Sequence, residues 1–317
     1  MNVAPPLLVI VGPTGVGKTA VAVRLAAALP IEVVNADSRQ VYRGMDIGTG
    51  KPTAEERAAL VHHLIDVVAP DERYHVARFR ADALGALGDI RRRGRLPVVV
   101  GGTGLYVRAL LKGLRPAPPA DPMLRQELEA DLGAHGAPAL HRRLAALDGQ
   151  AARRLHPNDR VRIIRAIEIL MRRGPPDPEG DAAADWSRGV PGWRLLMVGL
   201  SQSREALSHR LAERVRQMIA RGMMNEVKGL LAAGYDESLP AMGGIGYRQF
   251  AAALRGRLAL EEAERLMIRD TVRYAKRQMT WFARDPEIRW IDVDRAGGLP
   301  GTTESILKAI TQEGLIE

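Results

Sequence analysis

The hydrophobic positions of the first hundred residues follow two alternating patterns. Short, continuously apolar runs at Leu7–Val11, Ile31–Asn35 and Pro97–Val100 are typical of strands that are buried on both faces of a sheet. Between them, Lys18–Leu29 and Phe79–Arg93 carry apolar residues at helical spacing. Strands that alternate with helices predict an α/β fold, in which helices flank a parallel sheet.

The pattern changes near residue 116. Prolines cluster between residues 116 and 122, and Pro122–Arg173 is then of helical type almost throughout. The segment Arg173–Gly192 is rich in proline, glycine and aspartate, which predicts an exposed and mobile loop. We therefore expect a small helical insertion domain over residues 116–193.

The first pattern returns after the insertion. Arg194–Leu200 has the apolar run of another buried strand, and Ser203–Leu231 and Leu260–Ala283 have the spacing of long helices. We expect residues 1–115 and 194–317 to form one core around the insertion.

The composition is that of an ordinary globular protein, with 46% hydrophobic and 26% charged residues among 317. The absence of cysteine excludes a disulfide scaffold, a thiol nucleophile and a thiolate zinc site. No apolar run approaches the roughly 18 residues that a bilayer-spanning helix needs. The first residues lack the basic start of a signal peptide and fit a first strand instead, so we expect a cytoplasmic protein.

Positive charge is in excess, because 46 Lys and Arg against 37 Asp and Glu give a formal net charge of +9. Such an excess favours a polyanionic partner. Arg160, Arg162 and Arg165 follow a helix-start signal in the insertion. A second set recurs at helical spacing along the last long helix: Arg265, Arg269, Arg273, Lys276, Arg277 and Arg284. A solvated helix face has the same pattern, but two such sets in a basic chain favour nucleic acid.

The segment Gly12–Thr19 is the strongest chemical signal. It fits the pattern G-x-x-x-x-G-K-[ST] between a predicted strand and a predicted helix, which indicates a core like that of the P-loop NTPases. Glycines let backbone N–H groups point at phosphate oxygens, Lys18 supplies a charge, and the Thr19 hydroxyl is a candidate ligand for Mg²⁺. We expect all eight residues to bind a di- or triphosphate: Gly12, Pro13, Thr14, Gly15, Val16, Gly17, Lys18 and Thr19.

The acidic residue that normally completes the magnesium site of an NTPase is missing from its expected place. The strand Pro97–Val100 leads into Gly101-Gly102-Thr103 rather than into a carboxylate. Asp37 follows the strand Ile31–Asn35 and is the best alternative. It is a candidate metal-orienting residue or general base, although a turn or cap residue would look the same in the sequence.

Other catalytic patterns are weaker. The seven histidines show no metal-binding spacing, and His62-His63 is better explained as structural, because adjacent residues point to different faces. No G-x-S-x-G nucleophile elbow is present. These residues alone leave three functions open: first a small-molecule kinase, then an RNA-stimulated ATPase, then a nucleic-acid-binding protein that uses nucleotide as a switch.

Several further motifs resemble those of one family, the tRNA dimethylallyltransferases. They occur in order along nearly the whole chain: Gly12–Thr19, Asp37–Pro52, His62–Asp66, Val100–Tyr106, His156–Asp159, Gly246–Arg248 and Tyr274–Gln278. The segment Asp37–Pro52 (DSRQVYRGMDIGTGKP) is highly specific. The chain resembles the bacterial branch, because it lacks the cysteines of the C-terminal zinc finger found in the eukaryotic branch.

The resemblance implies transfer of a dimethylallyl group from dimethylallyl diphosphate to N6 of adenosine 37 in tRNA, with Mg²⁺. Use of the loop for an isoprenoid diphosphate agrees with the missing carboxylate. By the same resemblance, Asp37 is the general base, Thr14 places a hydroxyl beside the reacting groups, and Arg214 clamps the diphosphate. A surface position remains the alternative for Arg214, because its helix also carries Arg210, Arg216 and Arg221.

The RNA partner implied by the resemblance is the tRNA anticodon stem-loop. We expect a monomer that does not engage a membrane, although the sequence does not determine the oligomeric state. The target adenine must leave its stack, and an aromatic content of 4% argues against a stacking platform for long single strands. The positions that match the RNA contacts of the family are Asp37, Ser38, Arg39, Gln40, Thr103, Arg125, Val161, Arg162, Ile163, Ile164, Arg165, Met242, Gly243, Gly244, Ile245, Gly246, Tyr247, Arg273, Lys276 and Arg277.

Overall fold

The structure is a computed structural model that describes residues 4–114, 117–118, 121–173 and 192–316. It divides into two compact units, of which the first is Met1–Gly113 with Gly189–Glu317 and the second is Leu114–Arg188. The predicted mobile loop Arg173–Gly192 lies outside the described residues, apart from its two end positions. Within the described ranges, no helix has the length and apolar character needed to cross a membrane.

The first unit is built on a parallel sheet of six strands. The strands lie in the order β3-β2-β4-β1-β5-β6, with β1 Pro6–Val11, β2 Ile31–Asn35, β3 His62–His63, β4 Leu96–Gly101, β5 Arg194–Ser201 and β6 Arg289–Asp292. All neighbouring pairs are parallel. The predicted α/β fold with a parallel sheet is therefore confirmed. The edge strands β3 and β6 escape prediction because two and four residues are too few to show a hydrophobic pattern.

The central strand β1 explains why helices cover both faces of this sheet. Leu7, Val9 and Val11 belong to one hydrophobic core and Leu8 and Ile10 to another, and all five side chains are fully buried. Successive side chains of a strand point to opposite faces, so a continuous apolar run requires cover on each side. The chain then leaves the carboxyl end of β1 directly into the phosphate loop.

Thirteen helices are present in the described residues. In chain order they are α1 Lys18–Ala26, α2 Ala54–Ala59, α3 Val76–Arg92, α4 Gly104–Lys112, α5 Pro122–His135, α6 Ala137–Leu147, α7 Gly149–Arg154, α8 Arg160–Arg173, α9 Arg204–Ala220, α10 Met223–Ala232, α11 Tyr247–Leu254, α12 Leu260–Phe282 and α13 Gly298–Gln312. Helices α5–α8 belong to the second unit.

One predicted helix has the wrong extent. The segment Ser203–Leu231 forms two helices, α9 and α10, because Gly222 between them has a φ of 102°. This left-handed conformation ends one helix and changes the direction of the chain before the next. The prediction for Leu260–Ala283 is confirmed within one residue by α12.

The second unit has a small hydrophobic core of its own. Leu128 of α5, Leu140 and Leu144 of α6, and Ile163 and Ile167 of α8 are at most 1% exposed. Their spacing of three or four residues within a helix places them on one face. The helical character predicted for this part of the chain is confirmed.

Candidate active site

The phosphate loop joins the carboxyl end of β1 to the start of α1. Gly12, Gly15 and Gly17 have φ values of 144°, 78° and 104°, a region that other residues rarely adopt. A Cβ atom at Gly12 would lie 2.5 Å from the carbonyl oxygen of Leu200, at the end of β5. Both backbone conformation and close packing therefore require the predicted glycines.

The start of α1 is open to an anion. Gly17 provides no side chain to cap the helix, and the first turn contains no acidic residue. The backbone N–H groups at a helix start carry partial positive charge and lack partners within the helix. The loop therefore has the geometry of a phosphate cradle.

Lys18, the first residue of α1, folds back over the loop. Its Nζ donates hydrogen bonds to the carbonyl oxygens of Gly12 at 2.9 Å and Pro13 at 2.7 Å. Burial lowers the pKa of this ammonium to about 7, although the negative charge of Asp37 opposes the shift. An anion bound in the loop would favour the charged form of Lys18.

Helix α9 faces this loop with a polar stripe. Arg210, Arg214, Gln217 and Arg221 recur at helical spacing and line the same cleft. On the adjacent face of the helix, Leu207, Leu211, Val215 and Met218 are buried. The stripe resolves the two alternatives for Arg214 in favour of the cleft.

Arg214 reaches between two glycine segments. One of its guanidinium nitrogens lies 4.0 Å from where a Cβ of Gly15 would be, and another lies 2.0 Å from where a Cβ of Gly50 would be, so Gly50 makes room for it. Burial and the charge of Arg221 lower the pKa of Arg214. Among the described residues no carboxylate forms an ion pair with Arg210, Arg214 or Arg221. This cationic wall was missed in the sequence except at Arg214, although the spacing of three and four residues was a usable signal.

Asp37 lies immediately beyond β2 and faces the loop. The backbone N–H of Arg39 donates to its Oδ1 at 2.8 Å, so the residue does make the turn contact considered as an alternative. This contact also orients the carboxylate. Asp37 lines the cleft together with Lys18 and Arg214.

The segment after Asp37 is held by three separate contacts. Ser38 N–H donates to the Thr103 hydroxyl at 3.0 Å, and Arg39 Nη1 donates to the carbonyl of Pro240 at 2.8 Å. Gln40 Nε2 donates to the carbonyls of Thr49 and Gly50 at 3.3 and 3.2 Å. The predicted RNA-binding residues 38–40 and Thr103 therefore lie together beside Asp37.

Two cavities meet at the residues predicted to be catalytic. The first, of about 570 Å³, contains the phosphate loop and the cationic wall. The second, of about 290 Å³, has a mixed lining that includes polar and charged groups as well as five apolar side chains: Leu211, Val215, Met218, Ile245 and Met267. Four residues line both cavities: Thr14, Asp37, Thr49 and Arg214. An anion cradle and a partly apolar cavity thus share a border at Asp37 and Thr14.

Gln278, the last residue of the family motif Tyr274–Gln278, lies against the phosphate loop. Its Oε1 accepts a hydrogen bond from the Thr14 N–H at 2.8 Å, and its Nε2 donates to the Gly102 carbonyl at 2.9 Å. The side chain is 5% exposed. It ties Thr14 to Gly102, directly after β4. The family motif marked this position, but its contact with the phosphate loop could not be predicted from the sequence.

Glu226 of α10 clamps the loop that closes the cleft. Its carboxylate accepts hydrogen bonds from the N–H groups of Asp46, Ile47 and Gly48 at 2.9, 2.7 and 3.1 Å, and from the Tyr247 hydroxyl at 2.6 Å. Four bonds to one carboxylate fix this loop in place. The predicted RNA contact Tyr247 is thus 1% exposed and engaged by Glu226, while Gly243, Gly244 and Ile245 line the second cavity.

Helix α12 carries exposed cations beside the second cavity. Arg273, Lys276 and Arg277 are exposed, and no carboxylate within the described part of the chain pairs with them. Arg277 lies over the ring of Tyr274, 5.7 Å from its centroid. These three predicted RNA contacts form a free basic face.

The predicted RNA contacts of the second unit are more mixed. Val161 is 80% exposed, and the exposed Arg162 pairs with Asp159. Arg125 and Arg165 bind the buried carboxylate of Glu168 at 2.8 and 2.7 Å.

Three predicted RNA contacts have the wrong placement. Ile163 and Ile164 are 0% and 7% exposed in the core of the second unit, and Met242 is 0% exposed in the first. Side chains that are packed into a core and line neither cavity cannot contact RNA in this structure. The family pattern marks these stretches as continuous segments, but a helix alternates its faces and a loop buries part of its length.

The residues at the cleft fit a metal ion that is bound mainly by the diphosphate. Thr19 lines the first cavity as predicted. Within the described residues no group of three His, Cys, Asp or Glu side chains is placed to hold an ion. Mg²⁺ is commonly bound by phosphate oxygens, waters and only one or two protein groups, so this donor set fits a diphosphate-bound magnesium.

The histidine pair is structural, as expected. His62 and His63 form β3, where His62 Nδ1 contacts the Leu60 carbonyl at 2.7 Å and His63 Nε2 contacts Glu32 at 2.7 Å. Glu32 is also bound by Arg93. Neither histidine lines the two cavities.

Comparison with known proteins gives one consistent result. The IPP transferase family matches residues 40–285, and the isopentenyl transferase family matches residues 5–66. A tRNA dimethylallyltransferase of Geobacter metallireducens is 49% identical, covering 96% of each chain, and one of Desulforudis audaxviator is 48% identical, covering 99% of this chain and all of the other.

Solved structures agree with the sequences. The tRNA isopentenylpyrophosphate transferase of Bacillus halodurans is 39% identical with a TM-score of 0.69, and 98% of each chain is covered. A eukaryotic dimethylallyltransferase acting on tRNA is 30% identical with a TM-score of 0.77, over 91% of this chain and 74% of the other. With the phosphate loop, Asp37 and the specific segment Asp37–Pro52 in their expected places, this chain belongs to the tRNA dimethylallyltransferase family, the IPP transferases.

Proposed function

We propose that this protein transfers a dimethylallyl group from dimethylallyl diphosphate to N6 of adenosine 37 in the anticodon loop of tRNA. The observation that supports this most is the shared border of the two cavities. A diphosphate fits the cationic cradle, a five-carbon group fits the apolar part of the second cavity, and Asp37 and Thr14 lie where the two parts of such a prenyl donor would join.

The diphosphate is held in the first cavity. Backbone N–H groups at the start of α1, Lys18 and Arg214 surround the place where its charge would lie. The loss of the diphosphate leaves negative charge on oxygen, and preorganised donors that meet this charge lower the barrier. Mg²⁺ bound by the Thr19 hydroxyl and by phosphate oxygens would add to this charge neutralisation.

The acceptor nitrogen is activated by Asp37. The lone pair of adenine N6 is delocalised into the ring, so the amine is a weak nucleophile that depends on placement and on base assistance. N6 forms a bond to C1 of the allyl group as the bond from C1 to the diphosphate oxygen breaks, and the N6 proton passes to the Asp37 carboxylate. Base assistance of this kind typically contributes about 10²–10⁴-fold.

The RNA is held beside this border by the free basic face of α12. Arg277 lines the second cavity, into which the extruded adenine must enter, and Arg273 and Lys276 are exposed on the same helix.

A small-molecule kinase is the alternative that the phosphate loop also permits. Transfer of a phosphoryl group normally uses a carboxylate after the strand next to the loop. In this protein β4 ends in Gly101, and Gly102 approaches Gln278 so closely that a Cβ would lie 2.2 Å from its Nε2. The space that a carboxylate would need is filled by an amide, which favours prenyl transfer.

The direct test supplies the protein with dimethylallyl diphosphate, Mg²⁺ and an anticodon stem-loop RNA. We expect N6-isopentenyladenosine at position 37, detected by mass spectrometry of the digested RNA. A matched RNA with purine riboside at position 37 lacks the N6 amine and should stay unmodified. Brisk hydrolysis of ATP with no prenylated RNA would contradict the proposal.

A further inference from the structure

A third cavity lies between α4 and the carboxyl-terminal end of α12, and no role described so far uses it. Its volume is about 230 Å³. Its walls combine an indole, two aliphatic side chains and three basic groups: Trp281, Leu111, Met197, Arg108, Lys112 and Arg284. This mixture of a flat aromatic surface and positive charge suits a nucleotide.

Trp281 is the unusual wall of this cavity. It is 39% exposed in a chain with only 4% aromatic residues. The edge of the indole packs on the backbone of Gly104, where a Cβ atom would lie 2.2 Å from its Cδ1 and Nε1. A residue with any side chain at position 104 would displace the ring, so Gly104 holds the indole at this position.

The cavity continues the free basic face of α12. Arg273, Arg277 and Trp281 follow one another at intervals of four residues, which places them on one face of α12, and Arg284 lies in the turn directly after the helix. Arg284 is exposed and has no ion pair among the residues that the structure describes. Acidic groups nearby are Asp285 in the wall and Glu287, which pairs with Lys112 at 3.4 Å.

The cavity also begins next to the proposed catalytic centre. Gly104 follows Thr103, whose hydroxyl accepts the Ser38 N–H beside Asp37. An RNA whose adenosine is extruded towards Asp37 must present its neighbouring nucleotides to the surface around Thr103. Those neighbours lose a stacking partner when the adenine leaves.

We propose that Trp281 and this cavity bind one unpaired nucleotide next to the target adenosine, with its base stacked on the indole and its phosphate near Arg284. This inference rests on the proposed function, because it needs an RNA that enters at Asp37. It adds a base-stacking subsite to a surface otherwise defined by charge. Stacking on the indole replaces the contact that the neighbouring base loses when the adenine leaves the stack.

The experiment combines protein variants with RNAs that lack single bases. Binding of the anticodon stem-loop is measured for the wild type, Trp281→Ala and Trp281→Phe, with abasic sites placed in turn at each nucleotide flanking position 37. Stacking on an aromatic side chain is worth about 1–3 kcal/mol per base, which corresponds to roughly 5- to 150-fold in affinity. Trp290→Ala is the matched control, because Trp290 is 37% exposed but lies on the edge strand β6.

We expect Trp281→Ala to weaken RNA binding by this factor, Trp281→Phe to retain most of it, and Trp290→Ala to change little. One abasic RNA should bind the wild type more weakly by a similar factor and show no further loss with Trp281→Ala, a non-additivity that identifies the stacked base. The KM for dimethylallyl diphosphate should stay unchanged in Trp281→Ala, which excludes misfolding as the cause.

Two results would overturn the inference. Trp281→Ala could bind RNA as tightly as the wild type, or its loss could be the same with every abasic RNA. Prenyl transfer by the wild type on the same RNA is measured first, so a failure of the proposed function is seen separately from a failure of the stacking subsite.

Discussion

The cleft of the first unit holds cations without paired carboxylates, whereas the core of the second unit holds a carboxylate that is fully paired. In the cleft, Lys18 and Arg214 are partly exposed, and no carboxylate among the described residues forms an ion pair with either. In the second unit, the carboxylate of Glu168 is 0% exposed and bound by Arg125, Arg165 and the N–H of Asp121 at 2.8, 2.7 and 2.9 Å. One region leaves cations uncompensated, and the other satisfies its anion completely.

This difference separates a binding site from a structural ion cluster. An unpaired buried charge is costly, so a protein retains one where a ligand supplies the opposite charge. A buried carboxylate that accepts hydrogen bonds from three groups of the protein needs no ligand to compensate its charge. Burial alone would raise the pKa of Glu168, but the hydrogen bonds from Arg165 and the Asp121 N–H, with the charge of Arg125, outweigh it and lower the pKa below its ordinary value.

The largest expected effect comes from removing an uncompensated cation. Loss of one partner of a buried charged contact costs about 2–5 kcal/mol, so Arg214→Gln should raise the Kd of dimethylallyl diphosphate roughly 30- to several-thousand-fold. The thermal stability of the ligand-free protein should not fall, because the arginine has no internal partner to lose. Calorimetric titration and thermal unfolding measure the two quantities.

Arg216 provides the matched control for that variant. It lies on the same helix, is exposed, and pairs with Glu213 and Glu264 at 3.6 Å each. Arg216→Gln should change the affinity for dimethylallyl diphosphate less than twofold, since exposed ion pairs contribute about 0–1 kcal/mol. If Arg214→Gln lost stability but still bound dimethylallyl diphosphate as tightly as the wild type, Arg214 would be a structural residue and not a binding residue.

The next largest effect comes from removing the paired carboxylate of the second unit. Glu168→Gln leaves Arg125 and Arg165 without their charge partner, and we expect the unit to lose about 2 kcal/mol of stability, since both arginines are partly exposed. Hydrogen exchange of peptides from α5 and α8 measures this locally. Unchanged protection in those peptides would show that the cluster is not structural.

The pH dependence of the Glu168 cluster has a definite sign. Because its folded pKa lies below the unfolded value of about 4.3, its contribution is present above that pH and is lost as pH falls through the folded pKa. Faster exchange in α5 and α8 should therefore appear only in acid and should be absent from Glu168→Gln.

A smaller effect concerns Lys18. In the ligand-free protein the pKa of Lys18 is about 7, and a bound diphosphate raises it. Binding of dimethylallyl diphosphate above pH 7 is therefore accompanied by uptake of a proton by Lys18. Donor affinity should fall by up to about tenfold per pH unit above pH 7. The proton uptake is measured by calorimetry in buffers of different ionisation enthalpy, and Lys18→Met should abolish it. Uptake that persists in Lys18→Met would assign the titration to another group.

The stability of the ligand-free protein should change in the opposite sense. The unfolded chain keeps the Lys18 proton up to about pH 10.4, whereas the folded chain releases it near pH 7. Stability from this group therefore rises as pH increases between those values. Thermal unfolding without donor, compared between the wild type and Lys18→Met, isolates this contribution.

The two regions also differ in how much of them the sequence predicts. The phosphate loop could be predicted residue by residue, because its glycines, Lys18 and Thr19 act through local backbone geometry. Arg210, Arg221 and Gln278 could not, because their roles depend on where α9 and α12 lie relative to a distant loop. In the second unit, Arg125 and Arg165 looked like free cations because Glu168 is 43 and 3 residues away in the chain.

The errors in the fold have the same origin. The edge strands β3 and β6 are too short to show a pattern, and their pairing with β2 and β5 defines them. Ile163 and Ile164 follow an arginine in a basic segment, yet the helix turns them into the core. The break at Gly222 was visible only as one glycine among 32. Local chemistry can be predicted from a sequence, whereas burial and partnership require the fold.

The central claim is that Asp37 removes the N6 proton beside a diphosphate held in the cationic cleft. Asp37→Asn tests it most directly, because an amide oxygen can still accept the Arg39 N–H that orients the side chain but cannot take a proton. The measurement is the single-turnover rate of prenyl transfer at saturating RNA and dimethylallyl diphosphate. We predict a rate lower by about 10²–10⁴-fold with the Kd of the donor changed only a few-fold. A variant that transfers the dimethylallyl group at nearly the wild-type rate would contradict the account.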